Sequence, residues 1–345
     1  MFQDLNIQEL LERHARGELM LVDVRSPAEF AEATIPGSVN IPIFDNTERA
    51  EVGTLYKQVS VDAAKERGLE IVSSKLPRFI KQFQQYDSQL AVFCWRGGMR
   101  SKTTATLLSL MGIRAFRLAG GVRAYRKWVV ERLSQYDFHP RAVVLGGNTG
   151  SGKTYILHRL KEQGYPILDL EAAAGHRGSI FGEIGLQSNN QKSFDSLLLS
   201  QLEEAADAPY VVMEAESRRI GKILLPEFVM QAKISGIHII VQLPLHERVR
   251  IIMEEYRPEE HKEQCLEAFV KIKNRIHTPV AAEIERHLLN DEYEEAIRLL
   301  IEYYYDPRYK YMEQTYIEEP IIIEADCVEA AVEAVKRHLN LVFSV

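Results

Sequence analysis

Along this 345-residue chain, short continuous apolar runs alternate with longer stretches in which apolar residues recur every three or four positions. Short runs bounded by turn signals predict strands buried on both faces, and the longer periodic stretches predict helices. "MLVDV" (20–24) and "LAVFC" (90–94) read as two such strands. Between them Ser26 is an N-cap with Pro27 at the first helical position. "TIPGSVNIPI" is then a turn entering a short extended piece, and residues 47–87 are mostly helical. A helix over 102–111 follows, and "RAFRLAGGVRAYRKWVVERL" predicts a strand, a glycine turn and an amphipathic helix. "YDFHPR" (136–141) predicts a linker. "AVVLGG" opens a second alternation, with later strands at "YPILDL", "YVVMEAE", "IHIIVQLP" and "PIIIEA". The pattern predicts an α/β fold with mostly parallel sheets, in domains at 1–138 and 139–345. The second domain carries a helical insertion at about 245–311.

Composition narrows the class. A charged fraction of 26% and a hydrophobic fraction of 46% are ordinary for a soluble globular protein. No apolar run reaches the roughly 20 residues that span a bilayer, so no membrane partner is expected. The N-terminus carries acids through its apolar part, unlike a secretory signal. Three distant cysteines (Cys94, Cys265, Cys327) offer neither a disulfide framework nor a CxxC pair, which fits a reducing compartment. The expectation is a cytoplasmic monomer. The net charge is −7, yet no acidic residue occurs between Asp87 and Glu131. That interval holds Arg96, Arg100, Lys102, Arg114, Arg117, Arg123, Arg126 and Lys127. One basic surface on an acidic protein is expected, either a solvated face or an anion site.

The first chemistry lies at "LAVFCWRGGMRS" (90–101). A strand ending in Cys94, a turn with Gly97 and Gly98, and a helix start holding Arg100 and Ser101 build a nest of backbone N–H groups. The nest and the helix N-terminus favour an anion and a thiolate, so Cys94 reads as a nucleophile, with Arg96 and Arg100 beside it. The bland alternative is a buried, inert strand cysteine. This region resembles the rhodanese family of sulfurtransferases. "LVDVRSPAEFAEATIPGSVNIP" is similar to that family's N-terminal signature, "AVFCWRGGMRS" to its active-site loop, and "GIRAFRLAGGVRAYRKW" to its closing strand, turn and helix. One departure matters: Cys94 to Arg100 is Cys-x5-Arg, one residue longer than the usual sulfurtransferase loop. The longer loop resembles that of phosphatases of the same fold and implies a pocket for a phosphate-sized group.

The second chemistry is "GGNTGSGKT", in which Gly147, Asn148, Thr149, Gly150, Ser151, Gly152, Lys153 and Thr154 spell a P-loop between a strand and a helix. Its backbone N–H groups would cradle phosphate oxygens, Lys153 would reach the terminal phosphate, and the Thr154 hydroxyl would ligate Mg²⁺. Glu214 and Glu216, after a later strand, either position that Mg²⁺ or begin a loop. Asp169, Glu171, His176 and Arg177 follow another strand end, where ligands gather in such sheets. His176 has no partner at metal-ligand spacing, so no metal site made of protein ligands alone is expected.

A rhodanese-like domain followed by a P-loop NTPase-like domain resembles the tRNA 2-selenouridine synthases, on "CWRGGMRS", "GGNTGSGKT" and "DLEAAAGHRGSIFG". The resemblance implies replacement of the sulfur of wobble 2-thiouridine in tRNA by selenium. The route runs through an S-geranylated uridine, with geranyl diphosphate and selenophosphate as substrates and no tightly bound cofactor. It also implies that Cys94 carries the selenium. The P-loop would hold the diphosphate of geranyl diphosphate, ATP or a tRNA phosphate. Candidate tRNA contacts are Lys102, Arg114, Arg117, Arg123, Arg126 and Lys127, with Arg308 and Lys310 in the tyrosine-rich "YYYDPRYKYM". "VKIKNRIHTP" (270–279) is a weaker RNA candidate. Two rivals stand beside this reading. One is a rhodanese-fold phosphatase or sulfurtransferase coupled to a P-loop nucleotide-binding domain. The other is a non-catalytic tRNA-binding scaffold.

Overall fold

The computed structural model describes residues 2–309 and 319–343, in two compact units, 1–135 and 136–345. The segment expected as a linker begins the second unit. Tyr136 stacks on Phe228 and donates its hydroxyl hydrogen to the Leu202 carbonyl, and Phe138 packs on the same ring.

The first unit is built on a parallel sheet of β1 (Gln3–Leu5), β2 (Leu19–Asp23), β3 (Val39–Asn40), β4 (Gln89–Phe93) and β5 (Ala115–Leu118), in the order β1-β5-β4-β2-β3. The near-continuous burial of β2 and β4 reflects their position inside the sheet. The sequence pattern did not mark β1, a three-residue edge strand that lies beside β5 and buries Leu5. The expected helix after β2 spans Pro27–Glu32 and opens with a full capping box between Ser26 and Glu29. Helices Asn46–Gln58 and Val61–Phe83 fill the long helical stretch.

At the C-terminal end of β2, Asp23 and Arg25 form a buried ion pair of 2.6 Å. Arg25 also donates to the Ala33 carbonyl, and Thr34 donates to Asp23 at 2.9 Å. The motif "DVR" thus fastens the "TIPG" turn to the sheet from inside rather than facing a ligand.

The second unit carries a parallel sheet in the order β12-β11-β6-β8-β7: β6 (Arg141–Gly146), β7 (Ile167–Leu168), β8 (Tyr210–Glu214), β11 (Ile237–Gln242) and β12 (Ile321–Glu324). Strand β6 is central, and the chain winds outward to β7 on one side before crossing to β11 on the other. The loop after β6 therefore opens at the switch point where ligands bind such sheets. A short antiparallel hairpin, β9 (Arg219–Ile220) and β10 (Ile223–Leu224), escaped the sequence pattern, although Gly221 supplies the positive φ of its turn.

The helical insertion is present as helices Leu245–Tyr256, Lys262–Val270, Thr278–Leu289 and Tyr293–Leu300, around a core including Phe269, Ile284 and Leu288. The last helix continues into a π-turn, Ile301–Tyr305, and a short helix, Asp306–Tyr309. Lys310 and the rest of the tyrosine-rich segment to Met312 lie outside the described residues.

Replacing Asp23 by Ala would strand the buried Arg25 charge. A loss of about 3–5 kcal/mol of stability is expected, read as a lower denaturant midpoint for the full chain.

Candidate functional site

Two sites are described, one in each unit. In the first, Cys94 directly follows β4 and is 3% exposed, with Sγ 3.2 Å from Ser101 Oγ. The loop behind it is seated on the glycine turn before helix Gly121–Ser134. Val122 N–H donates to the Cys94 carbonyl at 2.9 Å, and Arg123 N–H donates to the Trp95 carbonyl at 3.0 Å. A Cβ on Gly121, whose φ is +58°, would lie 2.0 Å from the Cys94 carbonyl oxygen and 2.5 Å from the Gly97 nitrogen. Only glycine permits this approach. Helix Met99–Leu110 starts at Gly98 without a side-chain cap, which leaves its first N–H groups facing the cysteine turn.

The arginines have specific partners. Arg100 makes two hydrogen bonds to Glu29, at 2.5 and 3.1 Å. Burial resists ionisation of Glu29, but the Arg100 hydrogen bonds and charge outweigh it and hold the carboxyl at about 2. Glu29 therefore closes the capping box and anchors Arg100 at once. Arg117 pairs with Asp4 and donates to the Gly97 carbonyl at 2.9 Å, which braces the loop. Lys127 pairs with Glu131 at 3.4 Å, and Arg114 lies over the Phe116 ring. The single basic surface expected from sequence is therefore corrected. Arg100, Arg117 and Lys127 meet acids that lie outside the interval, and Arg117 is a brace for the loop. Lys102 and Arg123 are exposed, Arg126 is half-buried, and Arg96 lines the space in front of Cys94.

That space is a cavity of about 600 Å³. Cys94, Arg96, Gly98 and Arg100 line it, together with a mainly apolar wall from helices 46–58 and 61–83. The sequence reading missed the cavity. Its signal was the stripe Val61, Ala64, Gly68, Leu69, Val72 and Leu76, which periodicity alone assigns to a core.

In the second unit, residues 147–154 form the expected loop between β6 and helix Lys153–Glu162. Lys153 Nζ donates back to the Gly147 and Asn148 carbonyls at 3.2 and 3.4 Å. Arg248, buried, donates to the Thr149 carbonyl at 2.9 Å and pairs with Asp306 at 2.6 Å, and Asn148 donates to the same Asp306. Neither Arg248 nor Asp306 was singled out from sequence, because their roles arise only when the insertion folds against the loop.

Thr154 donates toward Glu171 at 3.1 Å and Glu214 at 2.9 Å. The strand-end acid Glu214 thus belongs to the P-loop. Glu171 and Glu216 line the cavity of about 330 Å³ in front of the loop, together with Arg177, Glu255 and Arg308. Burial, then the neighbouring Glu216 charge, pushes the Glu171 carboxyl up to about 8. Burial also raises Glu214, Glu216 and Glu255. Arg308, exposed, lines this cavity and stacks over Tyr304. Tyr304 is buried, so it is core and not a base-stacking platform.

Two expected site residues are corrected. Asp169 caps helix Leu170–Ala174 through Ala172 N–H and lies 2.8 Å from His158 Nε2, away from the cavity lining. His176 packs between Gly182 and Gly221, with burial lowering its pKa. Gly175 ends helix Leu170–Ala174 with φ +61°, and beyond it Arg177, but not His176, lines the cavity. Among the described residues, no group of three or more His, Cys, Asp or Glu side chains is arranged to hold a metal ion. No helix among them is long and apolar enough to cross a membrane.

Comparison with known proteins covers both units. A family model described as "tRNA 2-selenouridine synthase AAA domain" matches residues 140–340, and one described as "Rhodanese-like domain" matches residues 6–127. The chain is 36% identical over 244 residues to a protein of Nitrosomonas europaea named tRNA 2-selenouridine synthase, covering 68% of this chain and 63% of that one. A protein of the same name from Bdellovibrio bacteriovorus is 36% identical over 245 residues, covering 68% and 64%. A third, from Hydrogenovibrio crunogenus, is 32% identical over 334 residues, covering 88% and 91%.

The raised Glu171 carboxyl has a consequence for stability. The folded state keeps this proton above the ordinary carboxylate pKa and the unfolded state does not, so stability falls as pH rises from about 4.5 through about 8. Glu171→Gln should flatten the decline in melting temperature between pH 6 and pH 8, measured on the full chain by thermal unfolding.

Proposed function

Because the chain belongs to the tRNA 2-selenouridine synthase family, we propose that it converts wobble 2-thiouridine of tRNA to 2-selenouridine, with one step at each site. At the P-loop, the 2-thio sulfur of the uridine attacks C1 of geranyl diphosphate. A C–S bond forms, the C–O bond breaks with its electron pair leaving on diphosphate, and the N3 proton of the base is lost to solvent. The loop N–H groups and Lys153 hold that leaving group. The observation that carries this reading is the neighbourhood of the phosphate cradle. Its cavity shares Thr149, Ile252, Tyr256 and Tyr305 with a narrow apolar pocket of about 50 Å³ in the insertion, continued by Ile297 and Leu300. A nucleotide base has no need of such a neighbour, whereas a prenyl tail does.

The residues fit a Mg²⁺ ion. The Thr154 hydroxyl and the Glu171 and Glu214 carboxylates are hard oxygen donors, and Glu214 Oε2 is buried without a hydrogen-bond partner. When bound, the ion would neutralise charge on the departing diphosphate. Glu171 and Glu214 must shed their raised protons to take part, so Mg²⁺ binding should strengthen with pH.

At the second site, the uncapped helix start and Arg96 receive selenophosphate in front of Cys94. Its selenium bonds to C2 of the base, the C2–S bond breaks and the electron pair leaves on geranyl thiolate, which takes a proton from the Cys94 thiol; water then splits the P–Se bond, and phosphate departs. Geranylation has by then turned a poor leaving group into a thiol that can depart.

The test is mass analysis of wobble nucleosides after incubation of thiolated tRNA with geranyl diphosphate and then selenophosphate, with a thiol reductant present. Lys153→Ala should lose geranylation about a hundredfold yet still selenate RNA supplied already geranylated. Cys94→Ala should show the reverse. Normal geranylation by Lys153→Ala would remove the P-loop assignment. Rapid hydrolysis of ATP or p-nitrophenyl phosphate without RNA would favour the phosphatase or nucleotide-hydrolase reading.

A further inference from the structure

The cavity beside Cys94 is not built for a small anion alone. At about 600 Å³ it has the size of a ligand pocket, and most of its wall is hydrocarbon. Leu69, Tyr56 and Met99, which line it, are 70%, 61% and 60% exposed, an unusual concentration of large apolar side chains left open around a nucleophile. Selenophosphate would use Arg96 and the loop amides and leave the hydrocarbon wall unfilled. The exposed Lys57 and Lys65 line the cavity as well, Lys65 paired with Asp62 at 3.0 Å. An occupant that fills the cavity joins a bulky hydrocarbon to an anionic group.

We infer that this cavity binds the geranyl chain of the S-geranylated uridine during selenium exchange, as a leaving-group pocket distinct from the P-loop site. The inference rests on the reading that geranylated RNA is the substrate of the second step. With the chain lying between helices 46–58 and 61–83, the thioether carbon is held in front of Cys94. The selenium of selenophosphate bonds to C2, the C2–S bond breaks, and its electron pair leaves on geranyl thiolate, which takes a proton from the Cys94 thiol; water then splits the P–Se bond and releases phosphate. The apolar wall then keeps the thiol apart from the base. The same pocket explains how the exchange step can discriminate geranylated from unmodified thiouridine, since the latter lacks the group that fills it.

The experiment uses the full chain with RNA carrying S-geranyl- or S-methyl-2-thiouridine and selenophosphate. Leu69 is solvent-facing, so Leu69→Glu leaves the fold intact and places a charge in the apolar wall. Its rate on the geranyl substrate should fall at least about tenfold while the S-methyl rate stays unchanged. Equal rates for wild type and variant on the geranyl substrate, or equal losses on both substrates, would overturn the inference. A binding arm separates this outcome from failure of the two-step reading. Geranyl thiol is titrated into a Trp128→Phe background, where Trp95, which lines the cavity, is the one remaining tryptophan. A saturable fluorescence change that weakens at least about tenfold with Leu69→Glu supports the pocket even if RNA turnover fails. No saturation, or the same midpoint in both proteins, rejects it.

Discussion

The chemistry assigned to the first unit depends on the seating of one loop on one turn. Gly121 lets the start of a helix press against the Cys94 carbonyl, closer than any side chain would allow. Val122 and Arg123 then take the Cys94 and Trp95 carbonyls as hydrogen-bond partners. With those carbonyls tied back, the opposite face of the turn is left to N–H groups, and an anion can approach Cys94. Arg117, held by Asp4, braces the loop from the Gly97 side, and Arg100 is fixed by Glu29. These charges position as much as they attract. The loop is rigid because its glycines, arginines and neighbouring strand ends each have a single place to go.

The second unit solves a related problem by opposite means. Its phosphate cradle is braced by a buried ion pair from the helical insertion, Arg248 with Asp306, so the insertion is part of the cradle rather than an ornament on it. Around Thr154 the chain gathers carboxyls at a cost in stability, since burial disfavours their charged forms. Such unfavourable placement is usual where a protein prepares for a cationic partner and a charged substrate. In the function proposed here the two sites would divide the labour, one taking diphosphate and prenyl transfer and the other selenium and the departing thiol.

How much of this was legible in the sequence follows from how local each feature is. The Ser26 cap, the glycine turn at 120–121 and the P-loop are contiguous, so the reading of 20–32, 90–101 and 147–154 needed only neighbours along the chain. Partners far apart were not legible. Arg100 finds Glu29, Arg117 finds Asp4 and Arg248 finds Asp306 only through the folded sheet or insertion, so a run of unpaired basic residues in sequence became a set of braces in space. The stripe on helix 61–83 is a different kind of miss. Periodicity reports that a helix has an apolar face, but not whether that face meets a core or a cavity. His176 and Arg177 show the limit most sharply: adjacent in sequence, only Arg177 lines the cavity, while His176 packs against Gly182 and Gly221.

The central claim is that selenophosphate seated at the Cys94 loop gives its selenium to C2 of S-geranylated uridine. The most direct measurement incubates the full chain with S-geranylated RNA and isotopically labelled selenophosphate and counts the products. The account predicts one phosphate and one geranyl thiol released for each labelled wobble nucleoside by the wild type, and loss of all three with Cys94→Ala. Labelled nucleoside formed at the wild-type rate by Cys94→Ala would contradict it.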